Sequence, residues 1–204
     1  MTDWKAAEDE HLLAGYAKFP FVLAKGAGSY VFDDAGRRYL DFYGGHAVAL
    51  LGHCPPAVVE AVRRQAGELL FYSTLAYVPV RAKAAAALST LCGVAGGRVF
   101  FCNSGAEANE AAFRVARGAT GRRRIVATLG SFHGRTMGAL AATGLEKYRK
   151  GVLGLGSDVV HVPFGDLRAA EEALSEGAAG FILETVQSMG GALMPPAGYL
   201  EGLR

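Results

Sequence analysis

The stretch Phe101-Cys-Asn-Ser-Gly-Ala-Glu-Ala-Asn-Glu110 decides how this chain is read. Val99, Phe100 and Phe101 form a short apolar run of the kind that makes a buried strand, which predicts a strand near 98–102. Asn103 and Ser104 break that run. Ala106 to Arg117, rich in Ala, Glu and Arg, then reads as helix, giving a helix over 105–117. Ser104 with Glu107 three positions later is a capping-box pattern that starts the helix there. Gly105 has no side chain to block a ligand, so the first turn can present bare backbone N–H groups to an anion. On these residues alone, a phosphate cradle and an ordinary well-capped helix are both open readings.

Working outward, strands and helices alternate. A strand near 124–128, a Gly-punctuated helix near 134–143, a strand near 158–162, a helix over 166–176 and a strand near 179–183 follow in order. Such alternation predicts an α/β fold with a mostly parallel sheet covered by helices on both faces. Upstream, Ser29–Asp33 and Arg38–Phe42 read as two strands joined through the turn-type sequence Asp34-Ala35-Gly36. Gly44, Gly45 and Gly52 mark an irregular, tightly approached segment. Pro56–Leu70 reads as an amphipathic helix with Val58, Val62, Ala66 and Leu69 on one face, and Val80–Leu91 repeats the pattern.

Composition narrows the class. The chain has 204 residues, 51% hydrophobic and 20% charged, as in an ordinary globular protein. A net charge of +2 gives no reason to invoke nucleic acid or a membrane surface as partner. The single basic run, Arg122-Arg123-Arg124, follows Gly118 and Gly121 and reads as a solvated tip. Cys54, Cys92 and Cys102 show no CxxC spacing and no clustering with histidine, which argues against a zinc site or a disulfide framework and fits a reducing compartment. The acidic residues Asp3, Glu8, Asp9 and Glu10 make the N-terminus unlike a signal or transit peptide. No apolar run approaches the length of a membrane span, so cytoplasmic residence is expected.

In open parallel sheets, ligands sit beyond the carboxyl ends of the strands. Three segments are expected there. Asn103-Ser104-Gly105-Ala106 is the first. Gly130-Ser-Phe-His-Gly-Arg-Thr136 is the second, offering an aromatic plane (Phe132), an imidazole (His133), a fixed cation (Arg135) and a hydroxyl (Thr136). Glu184-Thr-Val-Gln187, closing the apolar strand Gly180–Leu183, is the third. Together they describe a pocket for a flat, phosphorylated ligand. Rival motifs fail on spacing: Gly154-Leu-Gly156 lacks the third glycine of a dinucleotide fingerprint, and no GxxxxGK[ST] exists. Ser131 is not at the central position of a nucleophile elbow. His11, His46, His53 and His161 are scattered and read as structural.

These segments, with Tyr39-Leu-Asp-Phe-Tyr-Gly-Gly45 and the stretch from Ile182 to Arg204, resemble in order the class III (ornithine-type) aminotransferases, and most closely their acetylornithine and succinylornithine branch. The resemblance implies the aspartate aminotransferase-like fold type I of enzymes that use pyridoxal 5′-phosphate (PLP). It implies that Gly105 and Ala106 donate backbone N–H groups to the PLP phosphate, that Ser104 supports that turn, and that Phe132 stacks on the pyridine ring. Arg135 would pair with a substrate carboxylate. His133, Glu184 and Gln187 would lie near the cofactor. Residues 1–50 would belong to the small domain and 51–204 to the first part of the large PLP-binding domain. The substrates implied are small amino acids and 2-oxo acids, and the full-length enzyme would be a homodimer. Two departures stand out. Met189 falls where the family carries a glutamate that acts in substrate discrimination. The Schiff-base lysine and the aspartate facing the pyridine nitrogen would lie beyond residue 204, so the chain alone is expected to be inactive.

Overall fold

A computed structural model describes residues 2–204, which divide into two compact units, one ending at Ala86 and one spanning Ala87–Arg204. Among the described residues, no helix is long and apolar enough to cross a membrane.

The first unit opens with α1 (Trp4–His11), capped by Asp3, whose carboxylate accepts from the Lys5 and Ala6 amides. An antiparallel meander follows: β1 (Leu23–Ala27), β2 (Tyr30–Asp33) and β3 (Arg38–Leu40). The expected hairpin is β2–β3. Its turn is held by the buried Asp33 carboxylate, which accepts from the Ala35 and Arg37 amides, the Arg37 Nε and the Tyr39 hydroxyl. β1 is an addition to the expected strands, and its register shifts between Leu23 and Lys25. Next comes α2 (Gly44–Ala47), a short turn in which Gly44, Gly45, His46 and Ala47 have φ of 55°, 59°, 61° and 59°. This is the irregular glycine-marked segment. Asp41 braces it, accepting from the Tyr43 and Gly44 amides and pairing with His53 Nε2 at 2.7 Å. The close approach is at Gly52, where a Cβ would stand 3.0 Å from the Gly28 carbonyl oxygen. α3 (Pro56–Glu68) and α4 (Pro79–Leu91) form where the amphipathic patterns predict them.

The second unit holds α5 (Gly105–Thr120), β4 (Ile125–Thr128), α6 (Met137–Ala142), α7 (Glu146–Arg149), β5 (Val159–Val162), α8 (Leu167–Ser175), β6 (Gly180–Ile182) and α9 (Tyr199–Leu203). The three strands are parallel in the order β5-β4-β6. β4 is buried along its whole length, and its alternation serves two cores. Ile125 and Ala127 pack with Phe113 of α5 and Ala142 of α6, while Val126 packs with Val162, Ala170 of α8 and Ala178. Helices therefore cover both faces, as the alternation of elements predicts. The chain leaves β4 to form β5 on one side and returns to place β6 on the other. The carboxyl end of β4 is thus the switch point where such sheets bind ligands.

The strand expected near 98–102 does not form. Among the described residues that segment has no ladder partner, and Phe100 and Phe101 are 75% and 45% exposed. An apolar run specifies that a segment can be a strand. Only a neighbouring strand with free N–H and C=O groups makes it one.

Candidate cofactor and substrate site

α5 begins as its sequence dictates. Ser104 is the N-cap, with extended φ −151° and ψ 160°, and its Oγ accepts from the Glu107 amide at 3.2 Å. Glu107 Oε2 reaches back to accept from the Asn103 amide at 2.7 Å and from the Ser104 hydroxyl at 3.3 Å. Donation by the Asn103 amide is the main reason the Glu107 carboxyl sits below the ordinary carboxylate range. With the cap satisfied, the amides of Gly105 and Ala106 remain as N–H groups of the first turn without intrahelical acceptors, at the positive end of a 16-residue helix. A Cβ at Gly105 would meet nothing within 4 Å, so the space beside that turn is open.

A pocket of about 590 Å³ opens there. Its lining is Gly105, Ala106 and Asn109 from α5 and Phe132, His133, Gly134, Arg135 and Thr136 from the loop after β4. The first two sequence motifs therefore meet in one site. The loop is fixed largely through its backbone. The Phe132 amide donates to Glu184 Oε1 at 2.7 Å, and the His133 amide donates to the buried Thr143 hydroxyl at 3.0 Å. Asn109 Nδ2 donates to the His133 carbonyl at 2.6 Å. Gly134 has φ 131°, and a Cβ on it would stand 2.7 Å from the Ala106 Cβ and 3.0 Å from the Ala139 Cβ. Only glycine lets the loop, the first turn of α5 and α6 come together. Phe132 is half-buried and meets Tyr148 edge-on at 5.3 Å, while Arg135 and Thr136 are exposed.

His133 is 7% exposed and its Nε2 has no hydrogen-bond partner. Burial, reinforced by the nearby His161, lowers its pKa to about 4. The imidazole is therefore neutral near pH 7 and contributes no positive charge to the pocket. His161 on β5, which contacts the Ala142 carbonyl through Nε2 at 3.2 Å, is likewise pushed down by burial and then by Arg149.

The third motif braces the second from outside the pocket lining. Glu184 follows β6 and bridges two backbone donors, Phe132 and Ser188, the latter at 3.3 Å. Gln187 is 1% exposed and donates through Nε2 to Thr128 Oγ1 at 3.1 Å and to the Leu129 carbonyl at 2.8 Å. Gly130, at φ 78°, leaves room for that carboxamide, since a Cβ there would stand 2.9 Å from Gln187 Oε1. Met189 is 40% exposed, in the turn after Gln187.

Several residues that shape the site carry no signal in the local sequence. Asn109 and Glu110 look like ordinary polar positions of a surface helix, yet both bind the loop after β4. Glu110 Oε1 accepts from the Thr136 hydroxyl at 2.8 Å and from the Gly138 and Ala139 amides at 2.7 and 3.1 Å. Their position one turn beyond the capping box, on the helix that supplies the cradle, is the only hint the sequence offers.

A helix N-terminus with uncommitted amides, beside a loop carrying an aromatic ring and an arginine at the switch point of a parallel sheet, is an arrangement that suits a phosphorylated ligand of an α/β protein. The aminotransferase class-III family model matches residues 13–204, and the chain belongs to that family. It is 43% identical over 196 residues to the acetylornithine aminotransferase of Methanopyrus kandleri, covering 96% of this chain and 50% of that relative. The ornithine aminotransferase of Toxoplasma gondii ME49 superposes with a TM-score of 0.93 at 28% identity, over 98% of this chain and 49% of that one. The taurine:2-oxoglutarate aminotransferase of Bifidobacterium kashiwanohense, solved with PLP and glutamate, gives 0.86 at 29% identity, over 96% and 50%. The chain thus spans about half the length of the curated relatives it matches. The fold is the one shared by PLP-dependent transaminases.

The residues fit that cofactor. The free amides of Gly105 and Ala106, with open space beside Gly105, suit a phosphate dianion, and Phe132 supplies an aromatic face beside them. Among the described residues, no lysine lines the pocket.

Proposed function

We propose that the full-length protein is a PLP-dependent aminotransferase that moves an amino group from an ornithine-like donor of the N-acetylornithine type to 2-oxoglutarate. The observation that carries this reading is the joining of the α5 amide cradle and Arg135 in one pocket. The name of the M. kandleri relative favours the donor, and that of the B. kashiwanohense enzyme favours the acceptor. PLP, when bound, supplies a carbonyl that carries the amino group and a ring that takes up the electron pair released at the substrate Cα.

The chain's own residues hold and orient. Gly105 and Ala106 would grip the phosphate through backbone N–H groups, with Ser104 keeping the turn in place. Phe132 would fix the plane of the ring. Arg135 would bind the substrate carboxylate as a charge-assisted pair and so present the Cα for reaction. Glu184 and Gln187 act one layer out, holding the loop that carries Phe132 and Arg135. Met189 favours one alternative within the family, a different ω-amino donor, because it places an apolar thioether where the family resemblance implies a carboxylate. A homodimer in the cytoplasm completes the reading, with exposed Phe42, Leu75 and Phe100 as apolar surface for other parts of the assembly to cover.

Residues 1–204 alone should transfer no amino group, because neither Lys147 nor Lys150, the lysines of the unit that holds the pocket, is among its lining residues. Borohydride treatment with PLP followed by peptide mapping checks this; one stoichiometrically labelled lysine together with measurable transfer would refute it. For the full-length protein, Arg135→Ala should cost about 2–4 kcal/mol in substrate binding and leave PLP affinity nearly unchanged. Equal loss of both would make Arg135 a structural residue. Absence of amino transfer from N-acetylornithine by the wild type would end the proposed donor.

A further inference from the structure

α6 begins immediately after the loop that carries Arg135, and it is capped from a distance. Its N-cap, Thr136, makes no side-chain cap bond of its own. Glu110, on α5, takes that place: a single oxygen, Oε1, accepts from the Thr136 hydroxyl and from the amides of Gly138 and Ala139. These partners lie 26, 28 and 29 positions away in sequence. Gly138 is part of the device, because a Cβ there would stand 2.9 Å from the Glu110 Cδ.

The same helix carries the anion cradle. Gly105 and Glu110 are separated by about 7 Å along the axis at the usual helical rise. α5 is therefore a rigid bar with the Gly105 and Ala106 amides at its tip and the clamp on the Arg135 loop just behind. Asn109, bonded to the His133 carbonyl, and Ala106, in contact distance of Gly134, are the other joints between bar and loop.

We propose that Glu110 is a positioning residue that fixes the separation between the anion cradle and Arg135, and with it the site's grip on a substrate carboxylate. The inference rests on the aminotransferase reading for its kinetic consequence and on geometry for its mechanical one. Loss of a helix cap that served stability alone would lower the melting temperature and weaken every ligand in parallel. A spacer between two binding elements acts on the ligand that must reach both.

The test uses full-length Glu110→Ala and Glu110→Gln, with PLP affinity by fluorescence titration, KM and kcat, and amide hydrogen exchange over 136–139. In Glu110→Ala, KM for the amino donor should rise roughly 10–100-fold, the range expected when a substrate clamp is misplaced by about an ångström. PLP affinity should stay within about threefold, since the cradle amides keep their own cap. Exchange at Gly138 and Ala139 should accelerate. Glu110→Gln retains an acceptor oxygen and should give an intermediate KM. An unchanged KM in Glu110→Ala, or substrate and PLP affinity falling together in step with thermal stability, would overturn the proposal. If the wild type transfers no amino group, the aminotransferase reading fails separately. Hydrogen exchange then decides, with protected Gly138 and Ala139 amides in Glu110→Ala refuting the tether and accelerated exchange supporting it.

Discussion

Two glycines in the same pocket should respond in opposite ways to the same added methyl group. Gly134 has φ 131°, a conformation that costs a residue with a Cβ on the order of 1–3 kcal/mol. Its new Cβ would also stand 2.7 Å from the Ala106 Cβ, well inside contact distance, and overpacking of that kind adds about 1–3 kcal/mol. Gly134→Ala should therefore destabilise the protein by roughly 2–5 kcal/mol, after some relaxation of the loop. Because the clash falls on Ala106, PLP affinity should drop as well. Gly105 is helical, and its Cβ would meet nothing within 4 Å. Gly105→Ala should be neutral or stabilising by up to about 1 kcal/mol, through the lower entropy of the unfolded chain. Chemical unfolding of the full-length apo protein, with and without PLP, measures both. Equal destabilisation by the two substitutions would refute the argument, since it would mean that neither the contact nor the dihedral at Gly134 sets the response.

Three further outcomes are expected. His133 is neutral in the fold down to about pH 4, whereas the unfolded residue titrates near its ordinary value, so the unfolded state binds more protons in between. Stability should be full above about pH 6.5 and lose roughly 2 kcal/mol by about pH 5, and His133→Asn should flatten that slope in urea titrations. Ser104→Ala removes the acceptor for the Glu107 amide and should cost about 1 kcal/mol; full retention of stability would show that the cap is replaced. Phosphate or sulfate added to crystals should bind within hydrogen-bond reach of the Gly105 and Ala106 amides, and an anion bound elsewhere in the pocket would displace the cradle assignment.

What could be read from the residues was what they settle locally. The Ser104–Glu107 box forms as written because all its partners lie within one turn. β4 and its two helical faces follow from a buried strand whose apolar residues Ile125, Val126 and Ala127 alternate between two cores. Non-local requirements were not legible. The run at 98–102 has strand composition but no strand beside it. β1 pairs despite Lys25 and Gly26, because its register comes from β2 and not from its own pattern. The family resemblance draws Glu184 and Gln187 toward the site, and the bonds they make, to the Phe132 amide, the Thr128 hydroxyl and the Leu129 carbonyl, are ones that no spacing rule announces. Glu110 is not legible in the sequence because a glutamate on a polar helix looks solvated until its partners, more than 25 positions on, fold against it.

The strand order β5-β4-β6 has a consequence for how the chain emerges from the ribosome. β4 is made first of the three but becomes the middle strand, so its two edges are filled at different times. Once Ile125–Thr128 has paired with Val159–Val162, the opposite edge stays open until Gly180–Ile182 is made and α8 has folded over the far face. During that interval the nascent chain displays an apolar, hydrogen-bond-hungry edge, the feature most prone to recruit a strand from another molecule. Slow translation between residues 163 and 179 would prolong that exposure. Synonymous codon changes confined to that interval should alter the yield of soluble protein without altering a single side chain.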